Sequence, residues 1–295
     1  MRMHLSAASA KLAAALVVLV ACGTTSVSST QPSPSPKEPR RIVSLSPTAT
    51  EMLFAIDAGP QVVAVDDQSN FPANAPMTKL SGFTPNVEAI VAYHPDLVVA
   101  SDDTGGIVHA MGLLSIPTLI QPAAANLEVS YSQINQLGEA TNHVAEAQAL
   151  VKKMRAEIAA AVAQIAKPSR PLKVYHELDD TYYSATSKTF IGQVYRLLGL
   201  QNIADGATGA TSDYPQLSSE YIVSSNPDLI ILADTNCCHQ NASTVGARPG
   251  WSHIAAVRTG EVVGVDDDIA SRWGPRVVDF LITVTAHVAQ LEQAA

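Results

Sequence analysis

Residues 87–99 and 219–231 of this chain share one pattern at an offset of 132 positions. Both stretches have Glu in second place, Ile and Val in fourth and fifth place, and Pro-Asp-Leu towards the end. Each pattern predicts a short helix, a turn at Pro-Asp and a buried strand. A single repeat at so long a period is not typical of a solenoid, in which short units stack directly on one another. The chain is therefore predicted to form two similar lobes.

Residues 142–167, which lie between the two repeats, are predicted to form one long helix that joins the lobes. Asn142 is a favourable residue at a helix start, Glu146 lies in the first turn, and Pro168 follows the last turn. Apolar residues recur every three or four positions, and most of the others are strong helix formers. At 1.5 Å per residue such a helix is roughly 36 Å long, enough to cross a domain.

Short apolar runs alternate with amphipathic segments on both sides of this helix, in an N-terminal lobe of residues 41–141 and a C-terminal lobe of residues 168–295. Strands that alternate with helices indicate a parallel sheet covered on both faces. We therefore predict an α/β fold of two Rossmann-like lobes with parallel sheets, joined by one long backbone α-helix. The ligand cleft is expected between the lobes, beyond the C-terminal ends of the strands. The predicted strands are residues 42–45, 62–65, 97–100, 118–120, 172–177, 229–232 and 261–265.

Residues 1–21 are predicted to be a targeting signal. Arg2 and Lys11 supply a positive end, and the apolar run of residues 12–21 is too short for a permanent membrane span. The run ends in Leu-Val-Ala-Cys-Gly around Cys22, which resembles the bacterial lipobox. That resemblance implies cleavage before Cys22 and a lipid on its sulfur; the alternative is a plain secretory signal with a chance cysteine.

Residues 22–40 are rich in Ser, Thr and Pro and have no apolar period. Such a stretch buries too little apolar surface to fold, so we predict a disordered tether. The folded body that follows is then expected to be soluble, extracytoplasmic and held at the cell membrane through the lipid.

Several classes of function are disfavoured by charge and by missing motifs. Acidic residues outnumber basic ones by 27 to 18, and the sequence has no basic patch with interleaved aromatic residues, so nucleic acid is not an expected partner. It has no glycine-rich phosphate loop, nucleophile elbow or two-histidine zinc helix. His176 and Glu177 are neighbours on a predicted strand and would point to opposite faces. A converging Ser, His and Asp set stays open, but a binding protein is favoured over an enzyme.

Cys237 and Cys238 are adjacent in the chain and are followed by His239. Outside the cytoplasm the two cysteines would either pair as a vicinal disulfide or stay free. With His239 they suggest a soft metal site, but adjacent ligands do not close a coordination shell. A structural loop is therefore the favoured interpretation, and no metal or cofactor is predicted.

The loops after the predicted strands are acidic and carry aromatic residues. An anionic cleft opposes anionic ligands, although Asp at a loop start is also a common helix cap. The candidate loops are residues 46–48, 66–71, 101–103, 179–183 and 266–273.

Four features taken together resemble the iron-siderophore and cobalamin class of solute-binding proteins, which deliver ligands to ABC importers. They are Arg-Ile-Val-Ser-Leu-Ser-Pro-Thr-Ala-Thr-Glu at residues 41–51, the two Pro-Asp-Leu blocks, the long helix, and Arg-Trp-Gly-Pro-Arg at residues 272–276. The resemblance covers roughly residues 40–293 in order. It implies two lobes bridged by one helix, little hinge motion and no catalysis.

The same resemblance implies that one glutamate on each lobe binds arginines of the ABC permease, which works with its ATPase. These glutamates correspond to Glu88 and Glu220, the matched residues of the repeat. Their alternative role is that of a first-turn glutamate stabilised by the helix dipole. The protein is expected to act as a monomer.

The pattern is closest to the cobalamin-binding branch, whose ligand contacts correspond to Phe83, Tyr214, Asp268 and Arg272. Two aromatic residues of that branch are replaced here by Gln68 and by a residue near Ser101. A corrinoid is therefore the leading ligand, with no protein side chain on its metal, and an iron–siderophore or haem is the alternative. The full set of predicted ligand-binding residues is Pro47, Gln68, Phe83, Asp102, Tyr182, Tyr214, Asp268, Arg272 and Trp273.

Overall fold

The computed structural model of the protein describes residues 39–165, 170–207 and 212–294. These residues belong to one compact unit that begins at residue 38. The predicted signal, Cys22 and all but the end of the tether lie outside the described residues, and so does Pro168.

The N-terminal lobe is built on a five-stranded sheet in which all paired neighbours are parallel, in the order β3-β2-β1-β4-β5. The strands that were predicted are confirmed, and β3 is an addition that the sequence pattern did not indicate. The strands are β1 (Ile42–Leu45), β2 (Val62–Asp66), β3 (Met77–Leu80), β4 (Leu97–Ala100) and β5 (Thr118–Ile120). The helices are α1 (Pro47–Ala55), α2 (Val87–Val91), α3 (Ile107–Leu113) and α4 (Leu127–Thr141).

The C-terminal lobe has a four-stranded parallel sheet in the order β7-β6-β8-β9. It is preceded by α5 (Val144–Val162). Its strands are β6 (Lys173–Glu177), β7 (Gln201–Asn202), β8 (Leu229–Leu232) and β9 (Val262–Gly264). Its helices are α6 (Phe190–Leu197), α7 (Ser219–Ser225), α8 (Ala242–Gly246), α9 (Ala255–Thr259), α10 (Asp267–Ser271) and α11 (Val277–Ala294). Single 3-10 turns occur at Gly59–Gln61, Thr104–Gly106, Ile203–Gly206 and Trp251–His253.

Helix α5 is the predicted long helix, but it is shorter than expected. The prediction that Asn142 starts it is wrong, because Asn142 has a left-handed backbone (φ 62°) and caps the C-terminus of α4 through its N–H to the carbonyl of Gly138. Helix α5 then begins at Val144 and has 19 residues, a length of about 28 Å. It packs against α4 of the N-terminal lobe and α11 of the C-terminal lobe, so it bridges the lobes as predicted.

The apolar core has three parts, which follow from strands that alternate their side chains between two faces. Ile42 of β1 and Val174 of β6 belong to one shared cluster that also contains the buried face of α5. The next residues, Val43 and Tyr175, belong to separate clusters that cover the outer face of each sheet. A core shared by both lobes resists their separation, since its apolar surface would be exposed to water.

The internal repeat is confirmed in atomic detail. Strand β1 pairs with β4, and β6 pairs with β8, in registers that differ by the same 132-residue offset. The carboxylate of Asp96 accepts a hydrogen bond from Arg41 N (2.9 Å), and that of Asp228 accepts one from Lys173 N (2.8 Å). The Pro-Asp turn therefore ties the start of one strand to its neighbour in both lobes.

No helix in the parts of the chain that the structure describes is both long and apolar enough to span a membrane.

Candidate functional site

The loops at the C-terminal ends of the two sheets meet between the lobes. Asn70 follows β2 of the N-terminal lobe, and Asp268 follows β9 of the C-terminal lobe. The side-chain amide of Asn70 donates to the carboxylate of Asp268 at 2.6 Å. Because parallel strands end at the same edge of a sheet, this contact places the strand-end loops of both lobes on either side of one cleft.

Glu51 lies at the centre of this contact, although sequence analysis gave it no role. Its side chain is buried on α1, and its carboxylate accepts hydrogen bonds from Arg272 Nη1 (2.9 Å) and Arg276 Nε (3.0 Å). Arg276 Nη2 donates to the same carboxylate. A buried carboxylate needs such partners, since desolvation of an isolated charge is costly. One glutamate of the N-terminal lobe thus holds two arginines of the C-terminal lobe.

Arg272, a predicted ligand contact, already has partners at both terminal nitrogens. Nη1 also donates to Asn70 Oδ1 (2.9 Å), while Nη2 donates to the Gln68 carbonyl (2.9 Å) and pairs with Asp268 (2.7 Å). The structure therefore brings Gln68, Asp268 and Arg272 together between the lobes. Contact of Arg272 with a ligand stays a prediction, and it requires the ligand to share or replace one of these partners.

Trp273, another predicted ligand contact, lies against α4 of the N-terminal lobe. Its indole N–H donates to Gln133 Oε1 at 2.9 Å, and its carbonyl accepts from the Ser130 hydroxyl. Its ring is partly buried against the shared core. Trp273 thus adds a further direct contact between the lobes, on α4.

Buried hydroxyl groups hold the N-terminal side of the cleft. Thr50 Oγ1 donates to Ser44 Oγ (2.9 Å) and lies 3.0 Å from Ser69 Oγ. Asp66 at the end of β2 is also buried, and burial raises the pKa of its carboxyl. This network joins the start of α1 to the loop after β2, which is where Glu51 and Asn70 are presented.

Two of the predicted aromatic ligand contacts are exposed side chains in the strand-end loops. Phe83 is 78% exposed and Tyr214 is 46% exposed. Tyr182 differs, because its ring packs against Trp251 with centroids 5.7 Å apart and lies near the Arg248 guanidinium. The loops of Tyr182 and Tyr214 are joined by backbone hydrogen bonds, among them Ser184 N to the Pro215 carbonyl at 2.9 Å. The two loops therefore lie side by side on the C-terminal lobe.

Pro47, Gln68 and Asp102 belong to the strand-end loops of the N-terminal lobe. Pro47 is half-buried at the first position of α1, next to the N-cap Ser46. Gln68 is exposed after β2. Asp102 is exposed after β4, where its carboxylate accepts the Thr104 N–H at 2.7 Å, so it acts as a local turn cap as well.

A buried acidic pair, which sequence analysis missed, lies at the C-terminal edge of the second sheet. Arg248 binds the Glu177 carboxylate with both terminal nitrogens at 2.6 Å. Asp234, fully buried, has no hydrogen-bond donor to its carboxylate among the described residues. Burial and the neighbouring Glu177 raise the pKa of Asp234 to about 8. Two adjacent carboxylates can bond only when one is protonated, so Asp234 is the protonated partner at neutral pH.

His176 points away from this pair, as the alternation along β6 requires. Its Nδ1 lies 2.6 Å from the hydroxyl of Tyr195, and its ring packs edge-on against Phe280 in the shared core. Burial lowers its pKa to about 3, so the imidazole is neutral. His176 and Glu177 therefore do not form an acid–base pair.

Metal ligation by the protein finds no support in the part of the chain that is described. Within it, no group of three or more His, Cys, Asp or Glu side chains is arranged to hold a metal ion. A concavity of about 690 Å³ on the C-terminal lobe is lined by polar residues, among them Lys188 and Asp205. All of its lining residues belong to the C-terminal lobe, and none of them is a predicted ligand contact.

Glu88 and Glu220 occupy equivalent places in the two lobes. Glu88 is exposed in the first turn of α2, whose N-cap Asn86 accepts the Ala89 N–H. Glu220 is exposed in the first turn of α7, which Ser218 caps in the same way. Both side chains are thus exposed to solvent and also favourably placed at a helix N-terminus.

Comparison with known proteins shows which family and fold the chain resembles. The family model described as periplasmic binding protein matches residues 42–269. The chain is 30% identical over 252 residues to an uncharacterized ABC transporter substrate-binding lipoprotein, YvrC, of Bacillus subtilis, with 82% of this chain and 78% of the relative covered. It is 32% identical over 251 residues to a cobalamin-binding protein of Halobacterium salinarum, with 82% and 67% covered. The solved structure of the periplasmic heme-binding protein RhuT from Roseiflexus sp. RS-1 superimposes with a TM-score of 0.74 at 23% identity, covering 86% of this chain and 99% of that one.

Proposed function

This chain belongs to the periplasmic binding protein family, and we propose that it captures a cobalamin outside the cytoplasm and delivers it to an ABC importer. Members of the family bind solutes for transport and are not enzymes. The observation that carries the choice of ligand is the 32% identity to the cobalamin-binding protein of Halobacterium salinarum. The iron–siderophore and haem alternatives rest on the fold, which the heme-binding RhuT shares at 23% identity.

The cleft has chemistry that suits a large, mostly neutral chelate. Phe83 and Tyr214 offer exposed aromatic surface, and a buried aromatic side chain contributes a few kcal/mol, roughly 1.5–3, to binding. Asp268 and Arg272 supply polar groups for the amide edges of a corrinoid. Pro47, Gln68, Asp102, Tyr182 and Trp273 complete the proposed lining. No protein side chain is required on the ligand's metal.

The bridged fold suits a rigid ligand. Glu51 and the shared core fix the lobes relative to each other, so the cleft is largely preformed. A preformed site loses little conformational entropy when a bulky ligand binds. We propose that the protein acts as a monomer. Light scattering of the purified protein tests this, and the mass of a dimer would exclude a monomer.

The partners are an ABC permease with its ATPase, and we assign docking to Glu88 and Glu220.

The protein is also proposed to be lipid-anchored through Cys22, in line with the relative in Bacillus subtilis that is named a lipoprotein. One acyl chain binds membranes only marginally, so a stable anchor needs several. Cys22→Ala should release the protein or leave its precursor uncleaved, and normal processing with membrane retention would exclude the anchor.

Ligand titration tests the proposed function. Cyanocobalamin, haemin and a cationic ferric hydroxamate are each titrated against the wild type, Tyr214→Ala and Tyr183→Ala, with absorbance as the readout. Tyr183 is a matched control because it is similarly exposed, at 42%, on the adjoining loop. We expect cobalamin to bind, with affinity lowered about tenfold or more by Tyr214→Ala, without loss of melting temperature. Binding of haemin or the hydroxamate alone would move the assignment to the alternative ligands.

A further inference from the structure

Cys237 and Cys238 form a thiol pair that the proposed transport function does not use. Both are free, Cys237 is exposed and Cys238 is partly buried. Their Sγ atoms lie 2.7 Å apart. A disulfide bond is about 2.05 Å long, so only a small further approach is needed to form one.

We propose that Cys237 and Cys238 are a redox modification site that closes into a vicinal disulfide by exchange with a disulfide-bearing oxidant outside the cytoplasm. Disulfides form and persist in extracytoplasmic compartments, and the family places this protein there. The site does not depend on which ligand the cleft binds.

The reaction balances through a mixed disulfide. One cysteine thiolate attacks a sulfur of the oxidant, its S–S bond breaks, and the first oxidant thiolate leaves. The second cysteine then attacks the protein sulfur of the mixed disulfide and releases the other oxidant thiolate. The cysteine pair loses two electrons and two protons, and the oxidant disulfide is reduced to two thiols.

The surroundings of the Cys237 sulfur disfavour its thiolate. Burial, contact with Cys238 and the nearby Asp267 carboxylate raise the pKa of Cys237 to about 12. A thiol with so high a pKa carries little thiolate at neutral pH and is a slow nucleophile. Either cysteine can begin the exchange, and both orders give the same vicinal disulfide.

The cysteine pair lies between two charged networks, one that contains Asp267 and one that contains Arg248 and Glu177. On one side, the Asp267 carboxylate accepts the N–H groups of Asn236 (3.0 Å) and Cys237 (2.9 Å). Asp267 begins α10, which is followed directly by Arg272. On the other side, the carbonyl of Cys238 accepts from Gln240 (3.1 Å).

Gln240 in turn accepts from Arg248 (2.8 Å), which holds the buried Glu177. Ring closure constrains the peptide between the cysteines, whose Cys238 N–H donates to the Asp234 carbonyl (3.2 Å). We expect the strain to reach the adjoining Cys237 N–H and Cys238 carbonyl, which the two networks hold. The redox state of the pair is thereby coupled to the folded stability of both networks.

Mass spectrometry of alkylated protein tests the site. The full-length wild type, Cys237→Ser and Cys238→Ser, recovered from the outside of the cell, are incubated with oxidised glutathione or with a reductant, then denatured, alkylated and digested. In the oxidised wild type we expect the peptide with both cysteines to lose two hydrogen atoms in mass and to take no alkyl group. Each single variant should instead keep glutathione on its remaining cysteine.

Two results would overturn the proposal: full alkylation of both wild-type thiols after oxidation, or glutathione that stays on the wild type. The melting temperatures of oxidised and reduced wild type are then compared, with the double serine variant as the control for effects of the reagents. A difference that the double variant lacks supports the coupling to Asp267 and Gln240. Equal values in the wild type would refute that coupling.

Discussion

The carboxylate of Glu51 in the N-terminal lobe accepts a hydrogen bond from Arg272 in the C-terminal lobe, with 2.9 Å between Oε1 and Nη1. The two residues are 221 positions apart in the chain, and both side chains are buried. Arg276 binds the same carboxylate. The lobes are therefore joined at the cleft by buried charge as well as by the helix and the shared core behind it.

Replacing Glu51 by Gln should destabilise the protein strongly. The substitution keeps the shape of the side chain but removes the buried negative charge that the two arginines share. Arg272 is then left with Asp268 (2.7 Å) and Arg276 with the more distant Asp266 (3.9 Å), and the loss costs about 3–5 kcal/mol in free energy of unfolding. Denaturant unfolding measures the difference. Glu128→Gln is the control, because Glu128 pairs with Arg155 on the surface, where loss of a pair costs about 0–1 kcal/mol. Equal costs for the two variants would contradict the central role of Glu51.

Much of this fold follows from local patterns in the sequence. Strands β4 and β8 occur where the Pro-Asp-Leu repeat predicts them, since a buried strand has a continuous apolar run. Edge strands are harder to predict from the sequence. Strand β3 is largely exposed and β7 has two residues, so neither has a continuous apolar run. Asn142 illustrates the limit for helix ends: the same residue type that starts a helix also ends one, and tertiary contacts decide between them.

The charged pairs of the site could not be predicted from the sequence, for a different reason. Glu51 lies in a motif that was recognised, but its partners Arg272 and Arg276 are remote in the chain, and pairing at that distance has no local signal. The same holds for Glu177 and Arg248. Three of the residues predicted to bind ligand, Gln68, Asp268 and Arg272, meet between the lobes. Their contact with a ligand stays a prediction.

The stability of the protein should fall as pH rises because of Asp234. Its folded pKa is raised from 3.8 to about 8, so its contribution to stability is full below the unfolded pKa and is lost as pH rises towards the folded one. One such group changes the free energy of unfolding by at most about 1.4 kcal/mol per pH unit. Asp234→Asn keeps a neutral donor beside Glu177 and should be more stable than the wild type at about pH 9.

The control for Asp234 is Asp57→Asn, since Asp57 is exposed and its left-handed backbone (φ 64°) suits Asn equally well. Unfolding curves are compared from about pH 5 to about pH 9, below and above the folded pKa. A pH dependence that is identical in the wild type and Asp234→Asn would show that Asp234 is ionised throughout.

His176 should act in the opposite direction, at acid pH. Its folded pKa is lowered from 6.5 to about 3, so its contribution to stability is present above the unfolded pKa and is lost as pH falls towards the folded one. The double variant His176→Phe with Tyr195→Phe removes both partners of the buried hydrogen bond and should be less sensitive to acid. His109→Gln, on the exposed side of α3, is the control and should behave like the wild type. Unchanged acid sensitivity in the double variant would contradict this role.

Reversing the charge of both Glu88 and Glu220 should abolish uptake while leaving ligand affinity almost unchanged. Each exposed ion pair contributes only about 0–1 kcal/mol, but matched charges on the two lobes steer docking and set its register, so two arginines facing arginines on the permease would repel. Uptake of labelled ligand by cells and titration of the purified variant are measured together.

The competing explanation for these glutamates is the helix dipole, and Glu146→Arg separates the two. Glu146 is also an exposed first-turn glutamate, on α5, and lies outside the repeat. Reversal at any of the three positions should cost a similar amount through the dipole, about 0.3–1 kcal/mol. Docking predicts that loss of import is confined to Glu88 and Glu220, because only those two occupy equivalent places in both lobes. Normal import by the double variant, or equal loss of import in Glu146→Arg, would exclude docking through this pair.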